Sequence, residues 1–143
     1  MSFKTYFDVL GSRRMTWAVL FHEAFAAEFL ALPRDVQTAL LAKARLLEAF
    51  GPQLARPHVD TLKDSKHANM KELRFDAADG VWRAAFVFDP LRQAVVLVAG
   101  NKSGGSEQRF YRTLISIAGK RFDEHLAQHK LAEHKLAQHK KEI

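Results

Sequence analysis

The sequence predicts an α+β domain: a small antiparallel-rich sheet with a helical hairpin before it and a helix after it. Three observations carry this expectation. Between His22 and Leu47, apolar residues recur at helical spacing, as the buried stripe of an amphipathic helix does. Between Met70 and Gly100 the pattern changes to alternation and short apolar runs, interrupted at Asp79-Gly80 and Asp89-Pro90, dipeptides that favour tight turns. From Glu107 helical spacing returns. The order strand, two helices, three strands, helix predicts a sheet with its helices on one face.

Each element has a local reason. Thr16–Phe21 (TWAVLF) is β-branched and aromatic and reads as a short strand. His22–Leu32 places Phe25, Phe29 and Leu32 on one helical side, and Pro33 ends it because its ring forbids a further turn. Asp35 is the expected cap of a second helix with the stripe Val36, Leu40, Ala44 and Leu47. Gly51-Pro52 stops that helix. Gln53–Asn69 has no period and reads as a long polar loop, and loops of that length in compact domains are often functional. Met70–Asp76, Val81–Asp89 and Ala94–Gly100 are the three strands, the last apolar enough to be central. Asn101–Ser106, with Gly104-Gly105, is a loop. The final helix turns Phe110, Leu114, Ile117, Phe122 and Leu126 inward, although Gly119 costs about 1 kcal/mol against alanine.

The length of 143 residues fits one domain, expected over 15–128, with an N-terminal extension at 1–14 and a His/Lys-rich helical tail at 129–143. Met15 is an alternative start. The tail repeats HLAQH, KLAEH and KLAQH. Five residues turn a helix by about 500°, so Leu126, Leu131 and Leu136 drift around it and form no stripe. A solvated or frayed helix is expected, with a contact to a partner as the alternative.

The formal net charge of +6 draws polyanions, nucleic acid first. With no cysteine, disulfides and thiolate metal sites are excluded; a reducing, cytoplasmic setting fits. No apolar run approaches the roughly 18 residues of a membrane span, and Met1–Arg14 lacks the apolar core of a signal peptide. No membrane partner is expected. Gly100–Gly105 lacks the ending of a Walker phosphate loop. His125 and His129 are four apart but have no third ligand at fixed spacing, so no metal and no cofactor are expected.

Chemistry is expected on one face of the sheet. Side chains alternate along a strand. Lys71, Leu73 and Phe75 therefore point one way, and Glu72 and Arg74 the other. Trp82, Ala84, Phe86 and Phe88 oppose Arg83, Ala85 and Val87. A two-residue turn at Asp79-Gly80 and a four-residue loop both put Arg74 and Arg83 on the same face. A four-residue Asp89–Arg92 loop, pairing Phe88 with Gln93, adds Val96, Val98 and Lys102 to that face; a one-residue shift removes Lys102. Clustered guanidinium groups repel unless an anion lies among them, and their planar fork suits phosphate. A salt bridge from Glu72 to one arginine is the plainer alternative.

Lys71–Phe75 (KELRF), Trp82–Pro90 (WRAAFVFDP), Val95–Gly104 (VVLVAGNKSG) and Arg109–Ala118 (RFYRTLISIA) stand in order on these elements. Together with Arg56–Arg74, this set resembles the RelE/HigB superfamily of toxins, in its phage-related HigB-like branch, over roughly Thr16 to Gln128. The resemblance implies a RelE-like fold and a ribosome-dependent mRNA endoribonuclease, in which a ribose 2′-hydroxyl attacks the adjacent phosphate without a metal. It also implies a helix-turn-helix antitoxin as partner, with operator DNA bound only through it. By match to the family pattern, Arg74, Arg83 and Lys102 are candidates for phosphate stabilisation, and Tyr111 for stacking or proton transfer. Some relatives carry lysine where this chain has Glu72, which is a candidate general base or a partner of Arg74. His67 in the long loop is a further acid–base candidate. Two alternatives stay open: a toxin of the same superfamily that binds a protein such as DNA gyrase, and an inactive remnant that retains antitoxin binding.

Overall fold

The computed structural model describes residues 17–142. The expected extension, Met15 and Thr16 lie outside the described residues. The elements are β1 (Ala18–Phe21), α1 (Glu23–Leu30), α2 (Arg34–Phe50), a 3₁₀ turn (Gly51–Gln53), β2 (Val59–Thr61), β3 (Lys71–Ala77), β4 (Gly80–Phe88), β5 (Gln93–Asn101) and α3 (Glu107–Glu142). The sheet order is β1-β5-β4-β3-β2. β1 runs parallel to β5, and the other pairs are antiparallel.

Local chemistry sets the helix ends. His22 precedes α1 and accepts the Ala24 N–H on Nδ1 at 3.1 Å. The expected cap of α2 is corrected: Pro33 holds the N-cap position, and Asp35 lies in the first turn, where its charge favours the positive end of the helix dipole. Gly51 closes α2 with φ of 55°, and a Cβ there would lie 2.3 Å from the Trp17 ring. Glycine alone meets both conditions.

The Gln53–Asn69 segment is not all loop. It contains β2, where Val59, Asp60 and Thr61 pair with Leu73, Glu72 and Lys71. Three residues are too few to display an alternating pattern. The β3–β4 turn centres on Ala78 and Asp79, with φ of 49° and 59°, one residue earlier than Asp79-Gly80. Both central residues at positive φ match a two-residue hairpin turn whose twist suits the strands.

The β4–β5 register also differs from expectation. Phe88 pairs with Ala94, Val87 with Val95 and Phe86 with Val96, before a bulge shifts Ala85 onto Val98 and Arg83 onto Gly100. Val96 therefore turns away from the arginine face and packs with Phe86. The extra residue, Leu97, reverses the parity again. Lys102, whose N–H donates to the Val81 carbonyl at 2.6 Å, thus returns to the Arg83 side through two offsets that cancel.

Helices cover both faces of the sheet, which corrects the one-face expectation. α1 and α2 pack Phe25, Phe29, Val36, Leu40 and Leu47 against Leu73, Phe86 and Val96. α3 packs Leu114, Ala118 and Phe122 against Ala85, Val87, Val95 and Leu97. The arginine face is thus apolar over half its length, enough to seat an i, i+4 stripe. Arg121 fastens α3 by donating to the Leu97 carbonyl at 2.8 Å and to both Glu28 oxygens at 2.8 and 2.6 Å.

Beyond the sheet, α3 continues with Leu131 and Leu136 exposed at 54% and 56%, as their drift around the helix requires. A stop after Gln128 is therefore expected to change unfolding free energy by no more than about 0.5 kcal/mol, read from urea denaturation. A larger loss would mean that the tail packs on the domain. No helix of the described residues is long and apolar enough to cross a membrane.

Candidate functional site

The register brings the site together. Arg74 faces Arg83 across β3 and β4, and Asp60 faces Glu72 across β2 and β3. Directly opposed residues of an antiparallel pair share a face. All four therefore lie on the α3 side, and the start of α3 lays Tyr111 over them. Arg83 Nε donates to the Tyr111 hydroxyl at 3.3 Å. That hydroxyl donates to Glu72 Oε1 at 3.1 Å. Arg83 Nε and Arg74 Nε lie 3.6 and 3.8 Å from the same oxygen, and Arg83 also donates to the Trp82 carbonyl at 2.9 Å.

Burial sets the electrostatics. Glu72 and Arg83 are 4% and 5% exposed. Burial pushes the Glu72 carboxyl above its usual range, against the opposing pull of the Tyr111 hydrogen bond and of Arg83 and Arg74. Its Oε2 is buried without a partner. Burial also raises the Tyr111 phenol, opposed by the Arg83 hydrogen bond. Tyr111 is thus a neutral proton donor at physiological pH, and Glu72 is a stronger base than an exposed carboxylate. Outside this pair, Asp60 accepts from Arg56 at 3.1 and 2.6 Å and lies 3.6 Å from Arg74. The Arg56 hydrogen bond holds the Asp60 carboxyl low. Lys102 donates to Glu107 Oε1 at 2.9 Å, which likewise lowers the Glu107 carboxyl.

Two recesses of about 590 Å³ each flank this network. Lys43, Arg56, Arg74 and Arg83 line a notch in which Asp76 is the lining carboxylate. Leu62, Glu72, Tyr111 and Ile115 line a cleft between the segment after β2 and α3. Arg56 belongs to both. Fixed cations beside a phenol–carboxylate chain can hold a phosphate and move a proton.

Of the residues singled out from the sequence, Glu72, Arg74, Arg83 and Tyr111 come together. Lys102 lies on the same side, held by Glu107. His67 does not join them: its Nε2 is 3.0 Å from Asp123 Oδ1, its ring stands edge-on to Phe122, and it lines a different depression. Lys43, Arg56, Asp60 and Glu107 escaped the sequence reading. Asp60 needed β2 to be recognised, because only its pairing with Glu72 puts it here. His125 and His129 do not converge, since they pair with Asp89 and Glu133 at 3.1 Å each. Among the described residues, no group of three or more His, Cys, Asp or Glu is placed to hold a metal ion.

A five-stranded sheet between a helical hairpin and one long helix defines a RelE-like fold. The chain superposes on a free-state double arginine-to-alanine mutant of the E. coli toxin RelE with a TM-score of 0.55, covering 75% of this chain and 98% of that one. At 16% identity this likeness concerns the fold alone. The profile of the family described as phage derived protein Gp49-like matches residues 27–123. Over 107 residues the chain is 43% identical to the putative toxin HigB2 of Mycobacterium tuberculosis (strain ATCC 25618 / H37Rv), covering 74% of this chain and 53% of that protein. Over 99 residues it is 44% identical to the putative toxin HigB3 of the same strain, covering 69% and 84%. The chain belongs to the Gp49-like, HigB-type family. It spans about half the length of HigB2 and most of HigB3.

Proposed function

We propose that this protein is the toxin of a type II toxin–antitoxin pair and cuts mRNA on the ribosome as a metal-independent endoribonuclease. The observation that carries this reading is the chain from Arg83 Nε through the Tyr111 hydroxyl to Glu72 Oε1, beside a second arginine and a notch lined by four cations. In the reaction, a ribose 2′-oxygen loses its proton, attacks the neighbouring phosphorus and expels the 5′-oxygen, which takes up a proton. The products are a 2′,3′-cyclic phosphate and a 5′-hydroxyl. Arg74 and Arg83 steady the added negative charge of the transition state. Glu72, its proton affinity raised by burial, accepts the 2′-hydroxyl proton, and the Tyr111 phenol serves the leaving oxygen. Lys102 contributes a further cation once phosphate competes with Glu107. Dependence on the ribosome and a helix-turn-helix antitoxin, with operator DNA bound only through it, are parts of this proposal that the family resemblance supports; a cytoplasmic setting is supported by the lack of cysteine.

The test is expression of the chain without an antitoxin, followed by mapping of mRNA 5′ ends. Growth arrest with cuts phased to codons is the expected result. Arrest with intact mRNA and a DNA-damage response would replace the reading with a gyrase-type target, and absence of arrest would identify an inactive remnant.

A further inference from the structure

The last third of α3 is not used by the fold. The helix packs on the sheet as far as Leu126, and His129 pairs with Glu133 at 3.1 Å. From Lys130 to Lys141 every residue is exposed. This segment is about 17 Å long at the rise of an α-helix, and it lies beyond the family match, which ends at residue 123. Leu131 and Leu136 are exposed and point about 140° apart, so they form no apolar stripe. Such a stripe is what the groove of a protein partner or a lipid surface would seat.

The charges are arranged for a different partner. Lys130, Lys135 and Lys140 follow one another at steps of five, so each turns about 140° and rises about 7.5 Å from the one before. Lys141 returns to within about 20° of the direction of Lys130. The sequence sets Glu133 and Glu142 against these four lysines, and Glu133 is engaged by His129. The tail is therefore a short rod with lysines on every side. An ammonium is a compact point charge on a flexible stem, which meets a phosphate without demanding a fixed orientation. A straight RNA duplex meets such a rod along one side, because its major groove is too deep and narrow for side chains to read. A helix in the wider major groove of DNA still turns one side to solvent. Phosphates stand on several sides at once where the helices of a folded RNA converge.

We propose that the end of α3 is an arm that inserts between converging helices of a folded RNA and contacts their phosphates through Lys130, Lys135, Lys140 and Lys141, without reading sequence. The choice of RNA rests on the reading of the protein as an RNA-cutting toxin. The arm is separate from the cutting site, which lies at the other end of α3 beside Tyr111.

The experiment compares the full chain, a chain stopped after Gln128, and two fourfold variants. One combines Lys130→Gln, Lys135→Gln, Lys140→Gln and Lys141→Gln; the other carries Lys→Arg at the same four positions. The probes are a three-way junction of 2′-O-methyl RNA, a straight duplex of the same RNA, a DNA duplex, all of equal phosphate number, and phosphatidylserine vesicles. The RNA probes carry no 2′-hydroxyl and cannot be cut. Fluorescence anisotropy reads nucleic-acid binding between about 50 and 200 mM salt, sedimentation reads vesicle binding, and circular dichroism checks that the helix is kept. Each phosphate neutralised on a duplex contributes about 0.9 to the slope of log affinity against log salt. The stop after Gln128 is expected to flatten that slope by about 3 on the junction and by no more than about 2 on either duplex, and to weaken junction binding about tenfold or more at the lowest salt. The fourfold Gln variant should match the stopped chain, and the fourfold Arg variant the wild type. An unchanged junction slope after the stop, or wild-type binding by the Gln variant, would overturn the proposal. Equal losses on the junction and both duplexes would do the same, and tail-dependent binding to vesicles alone would replace RNA with a lipid surface. Tail-dependent junction binding by a chain that cuts no mRNA in cells would leave the arm in place and remove the nuclease reading; cutting by a chain whose tail adds nothing to junction binding would do the reverse.

Discussion

Arg83→Ala is expected to lower mRNA cleavage by about 10²–10³-fold, the usual cost of removing one preorganised donor from a developing oxyanion, and to release cells from growth arrest. The side chain is 5% exposed, so its charge acts in a region of low screening. It also holds the Tyr111 hydroxyl at 3.3 Å, so its loss disturbs the donor that serves the leaving group. Two further variants separate these effects. Arg83→Lys keeps the positive charge but loses the planar fork, and is expected to recover only part of the rate. Tyr111→Phe removes the phenol and leaves both arginines, and is expected to lower cleavage within the range of about 10²–10⁴ typical of general acid–base groups. Cleavage of a defined message on purified ribosomes reads the rate, and circular dichroism checks that each variant is folded. Wild-type rates in folded Arg83→Ala would remove the arginine pair from the mechanism.

The shared face of Arg74 and Arg83 was legible because parity along a strand is insensitive to the details of the turn. The turn lies at Ala78-Asp79, one residue before the expected Asp79-Gly80, yet Arg74 still meets Arg83. Parity protected less well across β4 and β5. There the pairing begins one residue away from expectation and a bulge at Leu97 restores it. Val96 consequently faces the side opposite to the expected one, while Lys102 comes to the expected side for a reason the pattern does not contain. A bulge has no reliable sequence signal, because an apolar run such as Ala94–Val98 reads the same with or without one. The placement of α3 is not legible for a related reason: Ala85 and Val87 are small beside Phe86 and Phe88, and the aromatic side alone reads as a core. β2 was hidden by its length, and with it Asp60. His67 shows the opposite failure. Its chemistry was suitable, but only the fold could reveal that Asp123 and Phe122 engage it elsewhere.

The apolar stripe of α2 carries one further consequence. Val36, Leu40 and Ala44 lie on an i, i+4 row whose next member is Glu48, a carboxylate only 3% exposed with Oε2 unpartnered. Burial pushes its carboxyl up to about 7 from the ordinary glutamate value of 4.5, against a weaker opposing pull from Arg45. Because the folded-state value is the higher one, the folded chain keeps a proton that the unfolded chain has already released. This group's contribution to stability is therefore fully present below about pH 4.5, falls as pH rises toward 7, and stays low above it. The span corresponds to roughly 3 kcal/mol. Glu48→Gln presents a neutral amide of the same shape at every pH. Relative to wild type, it is expected to gain stability between pH 5 and pH 8 by about 2–3 kcal/mol, whatever offset its extra N–H donors impose at both. Urea unfolding of both proteins at the two pH values measures this double difference, in which other titrating groups cancel. A difference near zero would mean that Glu48 is ionised in the folded protein at little cost, with a counter-ion or water reaching Oε2.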